Sequence, residues 1–243
     1  MSTGAVHSFD LSVGVDGPGT RFVVFLAGCP LRCQYCHSPD TWSTRNGRRA
    51  GVDDLLVEVD KYRRFIEVAG GGLTVSGGEP LLQPAFTGAL LRAAKDRGLH
   101  TALDTSGFLG ARADDALLDA TDLVLLDIKS WHPETYREVT GGGQIAPTLR
   151  FARRLSERGM PMWIRFVLVP GLTDAPSNVD GIARFVALLP TVARVEVLPF
   201  HRLGAQKYTE LGLRFPLADT EAPDEALLTR VRDQFAAQGL TVC

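Results

Sequence analysis

The sequence contains no apolar run approaching the roughly 20 residues that a membrane-spanning helix requires. Its opening, MSTGAVHSFDLS, lacks the basic stretch followed by an apolar core that marks a secretory leader. Both absences make a cytoplasmic address, with no membrane partner, the expectation. Neither sign of charge is in surplus: 26 Lys and Arg face 28 Asp and Glu, a formal net charge of −2. No nucleic acid or acidic lipid surface is therefore expected as a partner. Internal repeats and low-complexity tracts are absent, and 45% of the residues are hydrophobic against 22% charged. That balance excludes wholesale disorder, a collagen-like chain and a coiled-coil rod. Cysteine is scarce, with four in 243 residues, and unevenly placed. Cys29, Cys33 and Cys36 lie within eight residues, and Cys243 is the last residue. A disulfide framework spreads its cysteines, so the tight trio points to metal or redox chemistry.

The length suits one domain spanning residues 1–243. Six short runs carry the β-branched and aromatic composition of strands: residues 21–27, 73–76, 101–104, 123–128, 162–169 and 195–198. They are mostly continuous apolar runs rather than alternating ones, as in parallel strands covered on both faces. Between them the apolar period changes to that of a helix over 52–69, 84–97, 114–120, 148–158, 178–189 and 224–238. Alternating strands and helices imply right-handed crossovers. The expected fold is α/β: an open partial (β/α)6 barrel of the TIM-like kind, with six parallel strands. A doubly wound sheet is the alternative.

Both folds place function at the carboxyl ends of the strands. In chain order those exits carry Gly28 with the cysteine trio, then Gly77, Gly78 and Glu79, then Asp104 and Thr105. Asp127 to Lys129, Arg165 and His201 follow. Glycine, charge or thiol stands at all six exits. The trio is spaced Cys-x3-Cys-x2-Cys. A zinc ion with His37 as fourth ligand is one reading, but adjacent Cys36 and His37 reach one tetrahedral ion with difficulty. A cubane iron–sulfur cluster normally takes four cysteines, so three leave one iron open to a ligand. Soft thiolates serve both metals.

Tyr35 ahead of the last cysteine of that spacing resembles the signature of radical S-adenosylmethionine enzymes. Further text lies in the same order: GCPLRCQYCHSPDTW, SGGEP, LDTSG, LDIK, WIRFVLVPG and LPFHRLG. With HSFDLSVGVDGPGTRFVVF near the start, the chain is similar nearly end to end to the glycyl-radical enzyme activases of the pyruvate formate-lyase type. The resemblance implies a 4Fe–4S cluster held by Cys29, Cys33 and Cys36, with S-adenosylmethionine chelating the fourth iron. Reductive cleavage would give methionine and a 5′-deoxyadenosyl radical, which takes a hydrogen from a backbone glycine of the partner, pyruvate formate-lyase. A flavodoxin or ferredoxin-type reductant and a monomeric state are further expectations.

The resemblance also distributes roles. Gly77 and Gly78 offer carbonyls to the methionine ammonium, and Glu79 is a positioning charge or a helix cap. Tyr35, Cys36 and His37 border the adenine through backbone. Asp127, Ile128 and Lys129 serve the ribose hydroxyls and the ligand carboxylate. His201 meets the ribose or adenine edge, or is a structural histidine. Asp104 and Thr105, with Asp127, hold a monovalent cation, potassium or sodium. Asp16 and Arg165 contact the incoming glycine loop. The chain has no cysteine between Cys36 and Cys243, so it lacks the cysteine-rich insert of some other activases. Cys243 has no assigned role. Gly141, Gly142 and Gly143 read as a mobile loop. A radical enzyme acting on a small molecule and a zinc-stabilised interaction module are the competing readings.

Overall fold

The structure is a computed structural model and describes residues 2–243. In chain order its strands are β1 (Thr3–Val13), β2 (Thr20–Leu26), β3 (Arg48–Gly51), β4 (Gly72–Gly77), β5 (His100–Thr105), β6 (Leu123–Asp127), β7 (Met162–Leu168) and β8 (Val192–Pro199). The helices are α1 (Val52–Val68), α2 (Pro84–Lys95), α3 (Asp115–Asp119), α4 (Pro133–Thr140), α5 (Ile145–Glu157), α6 (Pro176–Val186), α7 (Ala205–Glu210) and α8 (Glu225–Ala236). The strand order is β3-β1-β2-β4-β5-β6-β7-β8. The expected α/β class with an open, mostly parallel sheet holds, and β2 and β4 to β8 are the six expected strands.

The sheet has eight strands rather than six. β1 pairs antiparallel with both β2 and β3. Neither reads as a strand in sequence, for physical reasons. β1 carries His7, Ser8, Asp10 and Ser12 and is largely solvated. β3 is only four residues, two of them arginine and one glycine.

The chain divides into two compact units. The first comprises residues 2–30, 41–105 and 109–125. Its core is the buried Phe22, Val23, Val24 and Leu26 of β2 with Leu73 and Val75 of β4. Leu55, Leu56, Val59 and Ile66 of α1 are fully covered, as are Leu90, Leu91 and Ala94 of α2. Each large aliphatic side chain so buried contributes about 1.5–3 kcal/mol. A charge lies inside this unit. Arg21, at the amino end of β2, is fully buried, and burial pulls its guanidinium down to about 10. It remains inside because acceptors surround it: Thr74 Oγ1 at 2.9 Å, Leu73 O at 2.5 Å, His100 O at 3.2 Å and His100 Nδ1 at 3.0 Å. The Thr74 hydroxyl in turn donates to the Asp16 carbonyl at 2.7 Å, tying down the turn between β1 and β2.

The second unit comprises residues 31–40, 106–108 and 126–243. β7 alternates: Met162, Ile164, Phe166 and Leu168 are buried, and Phe166 meets Phe235 of α8 at 5.9 Å. Trp163 and Arg165 occupy its other face, opposite Arg194 and Glu196 of β8. Val242 bridges in parallel to Val195, with bonds Val195 N–H to Thr241 O at 2.8 Å and Cys243 N–H to Val195 O at 2.9 Å. α4 and α7 do not appear in the sequence pattern. α4 begins at Pro133 and buries only Tyr136, Val139 and Thr140, while α7 buries only Tyr208. Among the described residues no helix is long and apolar enough to cross a membrane.

Candidate active site

In the first unit the exits of β2 and β4 pack backbone against backbone. Gly28 N–H donates to Thr41 O at 2.6 Å and Cys29 N–H to Trp42 O at 3.1 Å, so the first cysteine leaves β2 on an anchored turn. Glu79 N–H donates to Gly28 O at 2.9 Å. A Cβ at Gly78 would lie 2.4 Å from Gly28 O, and one at Gly77 would lie 2.2 Å from Leu26 N. Only glycine permits that approach.

Glu79 is almost wholly buried and caps a one-turn 3-10 helix, Pro80–Leu82. Its Oε1 accepts from Leu81 N–H at 3.1 Å and from the Thr105 hydroxyl at 2.6 Å. Asp104 Oδ2 accepts from Ser76 Oγ at 2.6 Å. Capping, one of the two readings of Glu79, is therefore realised, and the carboxylate also orients Thr105. Replacing Thr105 with valine leaves that carboxylate short of a donor in a covered site. The expected loss is about 1–3 kcal/mol, read as a drop of several degrees in melting temperature.

In the second unit Cys36 N–H donates to Cys33 O at 3.1 Å, which turns the ligand loop. No disulfide joins any of the four cysteines. Burial pushes the Cys33 thiol up to about 11, against the pull of Lys129. Lys129 is buried, with Nζ 3.0 Å from Asp127 Oδ2 and 5.4 Å from the centre of the Tyr35 ring. Burial works against its ammonium, but Asp127, Tyr35 and Cys33 outweigh it and hold the pKa well above the ordinary lysine value. Tyr35 is covered, and among the described residues its hydroxyl has no hydrogen-bond partner. The loop after Lys129 is fixed by Asn178, whose Oδ1 accepts from Ser130 Oγ and from Trp131 N–H, each at 2.7 Å.

His37 stacks on His201, with ring centres 4.1 Å apart. Burial first, then His201, Lys207 and Arg165, lower His37 to about 4, so the pair is not doubly charged at neutral pH. Lys207 binds Asp40 at 3.0 Å. Ile128 N–H donates to Arg165 O at 3.1 Å. The Arg165 side chain faces Glu196, Nε to Oε2 3.8 Å, while Arg194 holds Glu196 Oε1 at 2.5 Å and lies 3.3 Å from the centre of the Trp163 ring. Arg194, Glu196 and Trp163 were not expected from the sequence. The alternation of charge along β8 signals them only once the register Arg165 to Glu196 is known.

The second unit thus gathers Cys33, Tyr35, Cys36, His37, Asp127, Lys129 and His201. The first gathers Cys29, Gly77, Gly78, Glu79, Asp104 and Thr105. Asp16 lies in the turn between β1 and β2, where its carbonyl accepts from Thr74 Oγ1, midway along β4, at 2.7 Å.

Among the described residues no three His, Cys, Asp or Glu side chains gather tightly enough to hold a single metal ion. A cubane spreads its thiolates over separate irons, wider than the shell of one zinc. Cys29 in the first unit and Cys33 and Cys36 in the second are thiols outside any disulfide, the soft donor type that an iron–sulfur cluster takes.

Residues 23–182 match the model of the radical SAM superfamily. The chain belongs to that superfamily, and membership implies a 4Fe–4S cluster and S-adenosylmethionine as cofactors. It is 43% identical over 231 residues to the pyruvate formate-lyase-activating enzyme of Listeria monocytogenes, covering 93% of each chain. It is 41% identical over 232 residues to the pyruvate formate-lyase 1-activating enzyme of Escherichia coli K12, covering 94% of each. A crystal structure of a domain of pyruvate-formate lyase-activating enzyme from Bacteroides vulgatus superposes with a TM-score of 0.60 at 26% identity. That match covers 71% of this chain and 98% of the other. Within the superfamily the chain belongs to the pyruvate formate-lyase-activating enzymes.

Proposed function

We propose that this protein activates pyruvate formate-lyase, a glycyl-radical enzyme, by reductive cleavage of S-adenosylmethionine and abstraction of a glycine hydrogen. The observation that carries the reading is the Cys29, Cys33 and Cys36 trio in a chain related over 93% of its length to activating enzymes. Cys29, Cys33 and Cys36 hold the cluster, which when bound supplies the electron that splits the sulfonium into methionine and a 5′-deoxyadenosyl radical.

The remaining residues bind and orient. The Lys129 ammonium, already charged beside Asp127, neutralises the ligand carboxylate, and Asp127 and Ile128 meet the ribose. Carbonyls of Gly77 and Gly78 accept from the ligand ammonium, with Glu79 beneath them as their support. Tyr35 and Cys36 line the adenine with their backbone. His37 and His201 stack to close it off, and the uncharged His37 does not repel a sulfonium. Arg165, pre-aimed by Glu196, meets the glycine loop of the partner, and Asp16 contributes to the same recognition. The protein works as a monomer of one domain in the cytoplasm, fed by a flavodoxin or ferredoxin-type reductant.

The test is anaerobic reconstitution, reduction and addition of pyruvate formate-lyase with S-adenosylmethionine. One 5′-deoxyadenosine should form for each glycyl radical seen by electron paramagnetic resonance. Ligand cleavage with no radical on that partner would overturn the reading in favour of another glycyl-radical enzyme or a small-molecule substrate.

A potassium or sodium ion belongs to this proposal. Asp104 and Asp127 are two carboxylates assigned to the end of the ligand that carries its own carboxylate. Like charges about 4 Å apart repel by roughly 4 kcal/mol at an effective dielectric of 20. A cation among Asp104, Thr105 and Asp127 removes that conflict. Asp104→Ala is expected to weaken S-adenosylmethionine binding about tenfold or more while iron content stays unchanged. Replacing potassium by a bulky tetraalkylammonium at equal ionic strength should do the same. Equal affinities in both buffers, with a neutral Asp104→Ala, would remove the cation.

A further inference from the structure

Gly141, Gly142 and Gly143 follow α4, and their bonds are those of a fixed turn rather than a mobile loop. Gly141 caps the helix in the left-handed conformation, φ +68°. Gly142 N–H returns to Arg137 O at 2.8 Å. Gly143 N–H donates to Thr140 Oγ1 at 3.0 Å, and that buried hydroxyl donates to Tyr136 O at 2.6 Å.

A helix leaves its last carbonyls without donors of its own. Here the cysteine loop supplies them. Arg32 N–H donates to Thr140 O and Gln34 N–H to Val139 O, both at 2.9 Å. The Gln34 side-chain amide adds a bond to Glu138 O at 3.1 Å. Arg32 and Gln34 are the two neighbours of Cys33, so the backbone that carries this ligand is clamped on both sides. The fit at the corner is tight. A Cβ at Gly141 would lie 2.8 Å from Arg32 Cβ and 3.1 Å from Arg32 O. At Gly142, φ +115°, a Cβ would meet nothing within 4 Å.

We infer that Gly141 is a positioning residue for the iron–sulfur ligand loop: its side-chain-free turn lets the end of α4 seize the amides on both sides of Cys33. The inference rests on the cluster reading given above and deepens it. The clamp holds the ligand backbone in place before metal arrives, so its loss should show in how firmly iron is kept.

The two adjacent glycines provide the control. Alanine is strained at both, and φ +115° is at least as unfavourable for it as φ +68°. Backbone strain alone therefore predicts that Gly142→Ala is the worse variant. Displacement of the cysteine loop predicts the reverse.

The experiment follows iron loss from the anaerobically reconstituted holoenzyme to an excess of chelator, with the cluster midpoint potential and melting temperature measured in parallel. Gly141→Ala is expected to lose iron about ten- to a hundredfold faster than the parent, with a shifted potential. Gly142→Ala should match the parent in both. Gly141→Asn, which tolerates the left-handed region while adding the same Cβ, should reproduce Gly141→Ala and serves if that variant fails to fold. Iron loss in Gly142→Ala equal to or faster than in Gly141→Ala would overturn the inference, as would parent-like retention in Gly141→Asn. Slow hydrogen exchange at the Arg32 and Gln34 amides of the parent, lost in Gly141→Asn, tests the clamp without metal. Should the parent itself take up no iron, the cluster reading fails while this second readout still decides the clamp.

Discussion

Alanine at Cys33 is expected to give a folded protein that holds no stable four-iron cluster and releases no detectable 5′-deoxyadenosine. Cys33 keeps some exposure as a residue, yet its sulfur is surrounded by protein, and burial pushes the unligated thiol up to about 11. Only the thiolate binds iron, so uptake must expel the proton that the thiol carries without iron. Lys129 eases that step by its charge. With one sulfur removed, two thiolates remain for a cubane that already has one iron without a protein ligand. Serine does not rescue, because a hard alkoxide is a poor substitute for thiolate at iron. The fold should survive, since the loop is held by the Arg32 and Gln34 amides rather than by the Cys33 side chain. Iron and sulfide analysis, the visible spectrum and ligand cleavage are the measurements, with melting of the metal-free chain as the control for folding. Cys29→Ala and Cys36→Ala should behave alike. Cys243→Ala should match the parent in all of them, because that residue is exposed and its contribution is the backbone pairing with β8. Parent-like cleavage by Cys33→Ala would sink the ligand assignment.

Most of the six parallel strands were legible because burial on both faces makes them read as nearly unbroken apolar runs, as in residues 123–126, all fully or almost fully buried. β1 was not legible. Its two partners are antiparallel strands, its outer half is solvated, and its polar residues resemble those of a loop. α4 and α7 escaped because eight and six residues give too few turns for a helical period to emerge. Both nevertheless act on the site. The α4 carbonyls grip the cysteine loop, and the turn before α7 presses Gly204 so close to that loop that a Cβ there would lie 2.9 Å from His37 Cα. Such contacts join residues about 105 and 170 positions apart, and no local pattern announces them.

Site chemistry followed a similar division. The cysteines, the paired glycines and the Asp127 to Lys129 stretch announce themselves by residue type and by lying where strands end. Which charge meets which does not. Arg165 appears in the sequence as a lone cation, and its relation to Glu196 requires the register of β7 on β8. The sequence offers Glu79 as ligand support or as cap, and only the hydrogen bonds to Leu81 and Thr105 reveal the cap.

Methionine at Lys129 is the second large effect. It should cost a few kcal/mol of stability and abolish tight S-adenosylmethionine binding. Lys129 and Asp127 form a pair at 3.0 Å with the lysine nearly covered. Removing one partner of a buried pair typically costs about 3–5 kcal/mol, because the other charge is left uncompensated. Asp127 keeps a quarter of its side chain in solvent, which places the expected loss at the low end of that range. The pKa gives the same sign. A lysine raised in the folded state stabilises the fold fully below its ordinary value of 10.5, and that contribution disappears only as pH climbs through the still higher folded value. The stability deficit of Lys129→Met should therefore be constant across neutral pH and narrow only in strong alkali. Asp127→Asn in the same chain removes the orphaned charge, so the double variant should regain most of the lost stability. Ligand binding should not return, since the ammonium that meets the ligand carboxylate is still missing. Lys129→Arg should keep the charge and most of the stability, but bind poorly, because a planar fork does not fit the space of a compact ammonium above the Tyr35 ring. Melting across pH and equilibrium binding of S-adenosylmethionine to the reconstituted variants separate the two roles. A Lys129→Met protein that melts lower but binds the ligand normally would make Lys129 a structural partner of Asp127 and nothing more.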